Sequence, residues 1–197
     1  MDTDESWKVI AVERRGVADL LESLTEDQWN TPSLADGWRV RDVAAHLALA
    51  PQPPSVGAMI RAGLRAFGSF DRMNHDVAVR YATERTYGHL VEELREHADS
   101  RRLPAVTNYR NILFDVLVHG QDIAVPLGID RPMPLAAART GADRVWSMGW
   151  PFWAKRKLRG HRLIATDIEW EVGSGEEIRE PIASLLMRLT GRVPRLD

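Results

Sequence analysis

The chain has 197 residues, of which 44% are hydrophobic and 27% charged, and its formal net charge is -2. The length leaves room for one medium-sized domain, or for a domain with a small appendix, and the composition is typical of globular proteins. The low net charge argues against recruitment of nucleic acid or an anionic membrane by a global field. Because the chain has no cysteine, disulfides, thiolate metal sites and a cysteine nucleophile are excluded.

Helical periodicity dominates the first 150 residues. Apolar spacing predicts a helix from Trp7 to about Leu24, then an ordered turn over "WNTPSLADGW" and a helix over "RVRDVAAHLALA" that "PQPP" ends. Residues 55–72 predict a weaker helix with glycines. Further helices are predicted over "TYGHLVEELREHADSRR", over residues 109–125, which form the most apolar segment, and over "LAAARTGADRVWSMG" after the loop "VPLGIDRPMP".

The pattern changes after about residue 150. Ile168, Trp170 and Val172 alternate with glutamates, which predicts a half-exposed strand, and "GSGEE" predicts a hairpin turn. "PIASLLMRLTGR" predicts a final short helix. The predicted organisation is therefore a helical bundle over residues 1–150 and a small C-terminal α+β segment over residues 151–197.

No apolar run reaches membrane-spanning length, and the acidic start "MDTDESWKV" differs from a secretory signal. We therefore expect a cytoplasmic protein without membrane or nucleic-acid partners. The sequence leaves the oligomeric state open.

Polar residues interrupt the most apolar helix, "ILFDVLVHGQDIA". Asp115 and His119 lie one turn apart on one face, which Asp122 continues. An ion pair, or a neutral histidine bonded to a backbone carbonyl, explains this helix alone better than a metal site does. Asp122 is predicted either to orient His119 or to cap a neighbouring helix.

A second helix places another imidazole, His46, near its apolar side, and His46 alone would be explained best as a core histidine with satisfied hydrogen bonds. Asp42, one turn before it, is predicted either to orient the His46 ring or to stabilise the helix N-terminus. Taken together, His46, Asp115 and His119 form a typical catalytic metal set of three protein ligands, which facing helices of a bundle can supply. The other histidines are expected at the surface: His75, His89, His97 and His161.

Three segments in order carry a family resemblance. "WNTPSLADGWRVRDVAAHL" (residues 29–47), "VHGQDIAVPLG" (118–128) and "RLIATDIEWEVGSGEEIREPIASLLMRLTGR" (162–192) resemble the actinobacterial mycothiol-dependent maleylpyruvate isomerase family. The resemblance implies a mainly α fold, a DinB-like four-helix bundle, with a divalent metal, usually zinc. It places the ligands at His46, Asp115 and His119, with Asp115 in place of the commoner glutamate. Arg39 stands where a capping Thr or Ser is usual, so Asp36 is predicted to cap.

The resemblance also implies an activity. We expect a metal-dependent enzyme that uses mycothiol as cosubstrate for isomerisation or S-transfer onto an unknown electrophile. The alternatives are a non-catalytic protein that binds a metal or small ligand, and a metal-free polar network. The basic run "AKRKLRGHR" is best explained as a solvated linker, with Arg156 and Arg159 as weaker candidates for contacts to the cosubstrate.

Overall fold

The computed structural model of the protein describes residues 1–52, 57, 70–103 and 107–192. The helix predicted for residues 55–72 lies almost entirely outside them. The described helices are α1 (Thr3–Glu22), α2 (Glu26–Trp29), α3 (Val40–Leu49), α4 (Phe70–Thr83), α5 (Tyr87–Glu96), α6 (Tyr109–Ala124), α7 (Leu135–Ser147), α8 (Ala154–Lys157) and α9 (Ile182–Leu189). The strands are β1 (His161–Ala165), β2 (Glu171–Gly173) and β3 (Glu176–Glu180).

Four helices form the body of the fold. Helix α1 packs against α5 and α6, and α3 packs against the same two helices, so the four form a closed bundle. Their apolar faces meet in one core, where Ile10, Leu21, Leu94 and Leu113 are almost completely buried. Helix α6 also contacts α7, which makes it central, as its apolar sequence predicts. The mainly α, four-helix fold is confirmed.

Side chains at the helix starts explain where the helices begin. Asp2 and Glu5 form a reciprocal capping box at α1, and Asn108 accepts a hydrogen bond from the Arg110 N–H at α6. The turn before α3 is ordered by backbone hydrogen bonds, from Ser33 N to the Trp38 carbonyl and from Leu34 N to the Asp122 carbonyl. The second of these bonds fixes the turn against α6.

The C-terminal strands form a sheet in the order β2-β1-β3, with β1 antiparallel to β2 and parallel to β3. The predicted hairpin at "GSGEE" is therefore wrong, because β2 and β3 do not pair. Gly173 and Gly175 have φ values of 82° and 120°, and they pass so close to the backbone of Gly160 and His161 that a Cβ would clash there. These two glycines carry the chain to the other edge of β1. The predicted strand is also shorter, since Ile168 and Trp170 precede β2.

Helix α9 packs on α7 and joins this segment to the bundle. A Cβ at Gly141 of α7 would stand 3.2 Å from side-chain atoms of both Leu186 and Phe114, so the helices touch closely. We expect Leu186→Ala to lower the free energy of unfolding by about 2–5 kcal/mol, because Leu186 is fully buried and its loss leaves a cavity. Chemical denaturation measures this, and Val12→Ala on the exposed face of α1 should change stability by less than about 0.5 kcal/mol. Equal effects of the two substitutions would contradict the packing described.

Candidate metal centre

Two facing helices bring three side chains together inside the bundle. His46 projects from α3, and Asp115 and His119 project from one face of α6. His46 Nε2 lies 3.3 Å from Asp115 Oδ2, and His119 Nε2 lies 3.5 Å from Asp115 Oδ1. Each residue offers one ligand atom, and these atoms all lie within 4.8 Å of one another. The local pair and the distant histidine thus form one half-buried cluster.

The donor atoms suit a small divalent cation. Bonds of about 2.0–2.2 Å to nitrogen and oxygen in a tetrahedral site separate neighbouring donors by roughly 3.3 Å. The distances of 3.3 Å to Asp115 Oδ2 and 3.5 Å to Asp115 Oδ1 are close to that separation, and the three ligand atoms all lie within 4.8 Å of one another. The Asp115 carboxylate, although one methylene shorter than glutamate, therefore reaches the space between the two imidazoles.

The electrostatics of the cluster keep its acid ionised. Burial of Asp115 acts to raise its pKa, but the adjacent His46 and His119 outweigh burial and lower that pKa to about 2. For His46, burial acts to lower the pKa, but the Asp115 carboxylate outweighs it and raises the pKa. The ionised carboxylate is the form that ligates a cation, and a histidine ligates through a ring nitrogen that carries no proton.

Asp122 contacts the His119 ring at Nδ1, the nitrogen that does not face Asp115. Its fully buried Oδ2 lies 2.8 Å from His119 Nδ1. If the Nδ1–H group donates a hydrogen bond to this carboxylate, the unprotonated Nε2 faces Asp115, as in many histidine ligands of metals. Burial acts to raise the pKa of Asp122, but the hydrogen bond from His119 and the charge of Arg192 lower it. This contact between Asp122 and the His119 ring is the one that the orienting role requires.

Arg192 completes this arrangement and was not anticipated from the sequence. It follows α9, and its Nε and Nη2 donate to Asp122 Oδ1 and Oδ2 at 3.2 and 2.9 Å. A third hydrogen bond runs from Nη1 to the Thr190 carbonyl. Arg192 lies within the segment "RLIATDIEWEVGSGEEIREPIASLLMRLTGR", but helical periodicity gives no signal that would place it beside α6.

Asp42 does not orient the His46 ring; it bonds to Arg39 at the start of α3. Its carboxylate accepts hydrogen bonds from the Arg39 backbone N–H and from Nε at 3.0 Å, and from Nη2 at 3.1 Å. No hydrogen bond joins it to His46 in the described part of the chain. The orienting role predicted for Asp42 is thus wrong, because both oxygens are taken by Arg39 at the start of α3. The same contacts correct the cap predicted for Asp36, which is exposed at the rim of the site.

A cleft of about 370 Å³ opens onto the cluster. Trp38 covers its imidazoles, edge-on to His46 with ring centroids 5.6 Å apart and stacked on His119 at 6.2 Å. The remaining apolar lining is contributed by Leu34, Ala35, Phe114, Val118, Pro151 and Phe152. The volume and the mixture of apolar walls with convergent polar groups are typical of a small-molecule site.

The other predicted candidates lie elsewhere. Arg156 and Arg159 are exposed, and neither lines the cleft; Arg156 lies over the Trp153 ring, 5.5 Å from its centroid. The described cleft therefore does not support the prediction that these two arginines contact the cosubstrate. His89 is exposed as predicted, whereas His161 is half-buried with a buried Nδ1.

Within the described residues, no helix has the length and apolarity required to cross a membrane.

Comparisons with known proteins agree with the fold. The chain resembles the solved structure of a mycothiol-dependent maleylpyruvate isomerase, with a TM-score of 0.63 at 15% identity over 98% of this chain and 90% of that one. A histidine-to-alanine mutant of a mycothiol-dependent maleylpyruvate isomerase gives a TM-score of 0.62 at 14% identity, with the same coverage. Curated protein sequences give no significant match. At these identities the structures show a shared fold.

The sequence itself carries the family assignment. A family model described as the mycothiol maleylpyruvate isomerase N-terminal domain matches residues 10–124, and this range includes His46, Asp115, His119 and Asp122. Since the match covers more than half of the chain, the protein belongs to the mycothiol maleylpyruvate isomerase N-terminal domain family.

Proposed function

We propose that the protein is a zinc-dependent enzyme that uses mycothiol, a low-molecular-weight thiol, for isomerisation or S-transfer. The observation that carries the proposal is the cluster of His46, Asp115 and His119 at the base of a cleft. Two imidazoles and one carboxylate with room for a further ligand are the donor set of catalytic zinc sites. Family membership supports mycothiol as the thiol.

When bound, a divalent cation lowers the pKa of a ligated thiol, so that the thiolate forms near neutral pH. His46, Asp115 and His119 hold the cation. Asp122 accepts a hydrogen bond from the Nδ1–H group of His119, and this bond keeps Nε2 directed at the site. Trp38 and the apolar walls line the space in which the groups would react.

The sulfur must come from the cosubstrate, because the chain has no cysteine. In S-transfer, this sulfur forms a bond to an electrophilic carbon, a leaving group departs with its electron pair, and the thiol proton passes to solvent. In isomerisation, sulfur adds to one carbon of a double bond, rotation follows, and the carbon–sulfur bond breaks to regenerate the thiol.

The absence of cysteine also makes the proposal directly testable. After exchange of the metal for cobalt(II), addition of mycothiol should produce a sulfur-to-cobalt charge-transfer band in the near ultraviolet. The protein has no sulfhydryl of its own, so the band reports the added thiol alone. Absence of the band with mycothiol and with other small thiols would contradict thiol activation and favour a non-catalytic metal-binding protein.

We further propose that the bundle of residues 1–150 and the C-terminal segment of residues 151–197 act as one functional unit. Phe152 and Arg192 come from the second part, yet both line the cleft that opens onto the ligands of the first. A reduced thiol cosubstrate is also consistent with a cytoplasmic location.

A further inference from the structure

The two histidines of the cluster are held in different ways. The His119 ring has a hydrogen-bond partner on each side, because its Nδ1 lies 2.8 Å from Asp122 while its Nε2 faces Asp115. The His46 ring hydrogen-bonds, among the described residues, to Asp115 alone, with Nε2 3.3 Å from Oδ2. Histidine ligands of metals almost always have a second partner that fixes the orientation of the ring. Within the described part of the chain, packing against other rings fills that role for His46.

Trp38 packs against the rings of both histidines at once. Its indole lies edge-on to His46, with an angle of 81° between the ring planes, and nearly parallel to His119, with an angle of 22°. The two imidazoles are 4.9 Å apart, centroid to centroid. The three rings therefore form one cluster, and a rotation of the His46 ring changes its contacts with both neighbours. Edge-to-face contacts between aromatic rings favour one geometry over others.

The turn before α3 fixes the backbone of Trp38. Ser33 N donates to the Trp38 carbonyl at 2.8 Å, which closes the turn on itself. Leu34 N donates to the Asp122 carbonyl at 3.1 Å, which ties the turn to α6. Asp122 thus holds His119 through its carboxylate and anchors the turn that carries Trp38 through its carbonyl. A side chain on a backbone anchored in this way can hold a neighbouring ring in one orientation.

Helix α4 supplies a further contact to Trp38. The His75 ring lies edge-on to the indole, with the ring centroids 5.9 Å apart, and His75 Nε2 lies 3.4 Å from the Gly37 carbonyl. Imidazoles from three helices, α3, α4 and α6, therefore contact this one indole. These contacts restrict the movement of Trp38 relative to His46.

We propose that Trp38 is a positioning residue of the metal centre, whose indole holds the His46 ring in the orientation that directs Nε2 at the space beside Asp115. Trp38 thus does for His46 by packing what Asp122 does for His119 by hydrogen bonding. The inference rests on the proposed function, because it concerns the metal site proposed there. It does not depend on the identity of the thiol or of the electrophile.

Zinc affinity, measured by competition with a chromophoric chelator, tests the proposal. Trp38→Leu keeps an apolar side chain but removes the aromatic ring, and should lower the affinity about tenfold. Trp38→Phe keeps a ring and should change the affinity less than about threefold. The matched control is Phe152→Leu, which removes a ring from another wall of the same cleft, where it pairs with Phe114. This control should leave the zinc affinity within about twofold of the unmodified value.

The cobalt(II) form gives a second readout that a general loss of stability would not produce. At saturating cobalt, Trp38→Leu should change the position or intensity of the visible d–d bands, because a rotated His46 alters the geometry around the metal. The spectra of Trp38→Phe and Phe152→Leu should match that of the unmodified protein. Chemical denaturation of the metal-free variants checks that each is folded, and Trp38→Met replaces Trp38→Leu if the latter does not fold.

Zinc affinity in Trp38→Leu within about threefold of the unmodified value, with an unchanged cobalt spectrum, would overturn the inference. An equal loss of affinity in Trp38→Phe or in Phe152→Leu would also overturn it. An unmodified protein without zinc affinity would overturn the proposed function together with this inference. The expected order of affinities without a cobalt–sulfur band on addition of thiols would contradict the thiol chemistry alone.

Discussion

Replacing His46 by alanine should abolish stoichiometric metal binding. The protein purified without an affinity tag should contain about one equivalent of divalent metal, and His46→Ala and His119→Ala should each contain less than about a tenth. The reason is geometric, because His46 is the donor that α3 contributes to a pair on α6. Elemental analysis of chelator-free preparations measures the content.

Two further variants sharpen this prediction. His89→Ala removes an exposed histidine outside the cluster, which lies 3.3 Å from Glu93, and should keep the full metal content. Asp115→Asn keeps the shape of the side chain but removes the charge, and should bind metal more weakly than the unmodified protein. Metal below about a tenth of an equivalent in the unmodified protein, unaltered in His46→Ala, would instead show a metal-free polar network.

Asp122→Asn should lower zinc affinity by about 10- to 100-fold, although Asp122 is not one of the three predicted ligands. Loss of a carboxylate that orients a histidine ligand has effects of this size. Here the amide can present a donor to His119 Nδ1, which would favour the wrong tautomer for Nε2 as a ligand. Competition with a chromophoric chelator measures the affinity.

Arg192→Ala provides the matched comparison. It leaves the buried Asp122 carboxylate without its guanidinium partner, so we expect the free energy of unfolding of the metal-free protein to fall by about 3–5 kcal/mol. The double variant Asp122→Asn with Arg192→Ala should lose less stability than the two single changes added together, since each removes the other's partner. Full additivity, or zinc affinity in Asp122→Asn equal to that of the unmodified protein, would contradict the described coupling.

Local periodicity was sufficient to predict most of the helices and the pairing of Asp115 with His119. Asp115 and His119 share a face because helical geometry sets their spacing, and the apolar residues around them place α6 in the core. His46 required a second step, since only the packing of α3 on α6 brings it to the pair. An inference about the fold supplied that step, the family resemblance implied the same three residues, and the described distances agree with it.

Features that depend on tertiary contacts were predicted poorly. Asp42 offers a carboxylate one turn from His46, but the flanking Arg39 takes both of its oxygens. The strand order could not be read from alternation, because the route of the chain depends on how Gly173 and Gly175 pass the start of β1. Arg192 was missed for a similar reason, since its contact with Asp122 joins residues far apart in the chain.

The contact between Arg192 and Asp122 has a consequence for protein synthesis. All three predicted ligands leave the ribosome well before residue 192, so a nascent bundle can present its donors while the carboxylate behind His119 still lacks its cation. The site reaches its final form only after the C-terminal helix has docked. If the cluster binds a metal as proposed, a chain that ends before residue 192 is expected to hold the metal less tightly than a chain that carries Arg192.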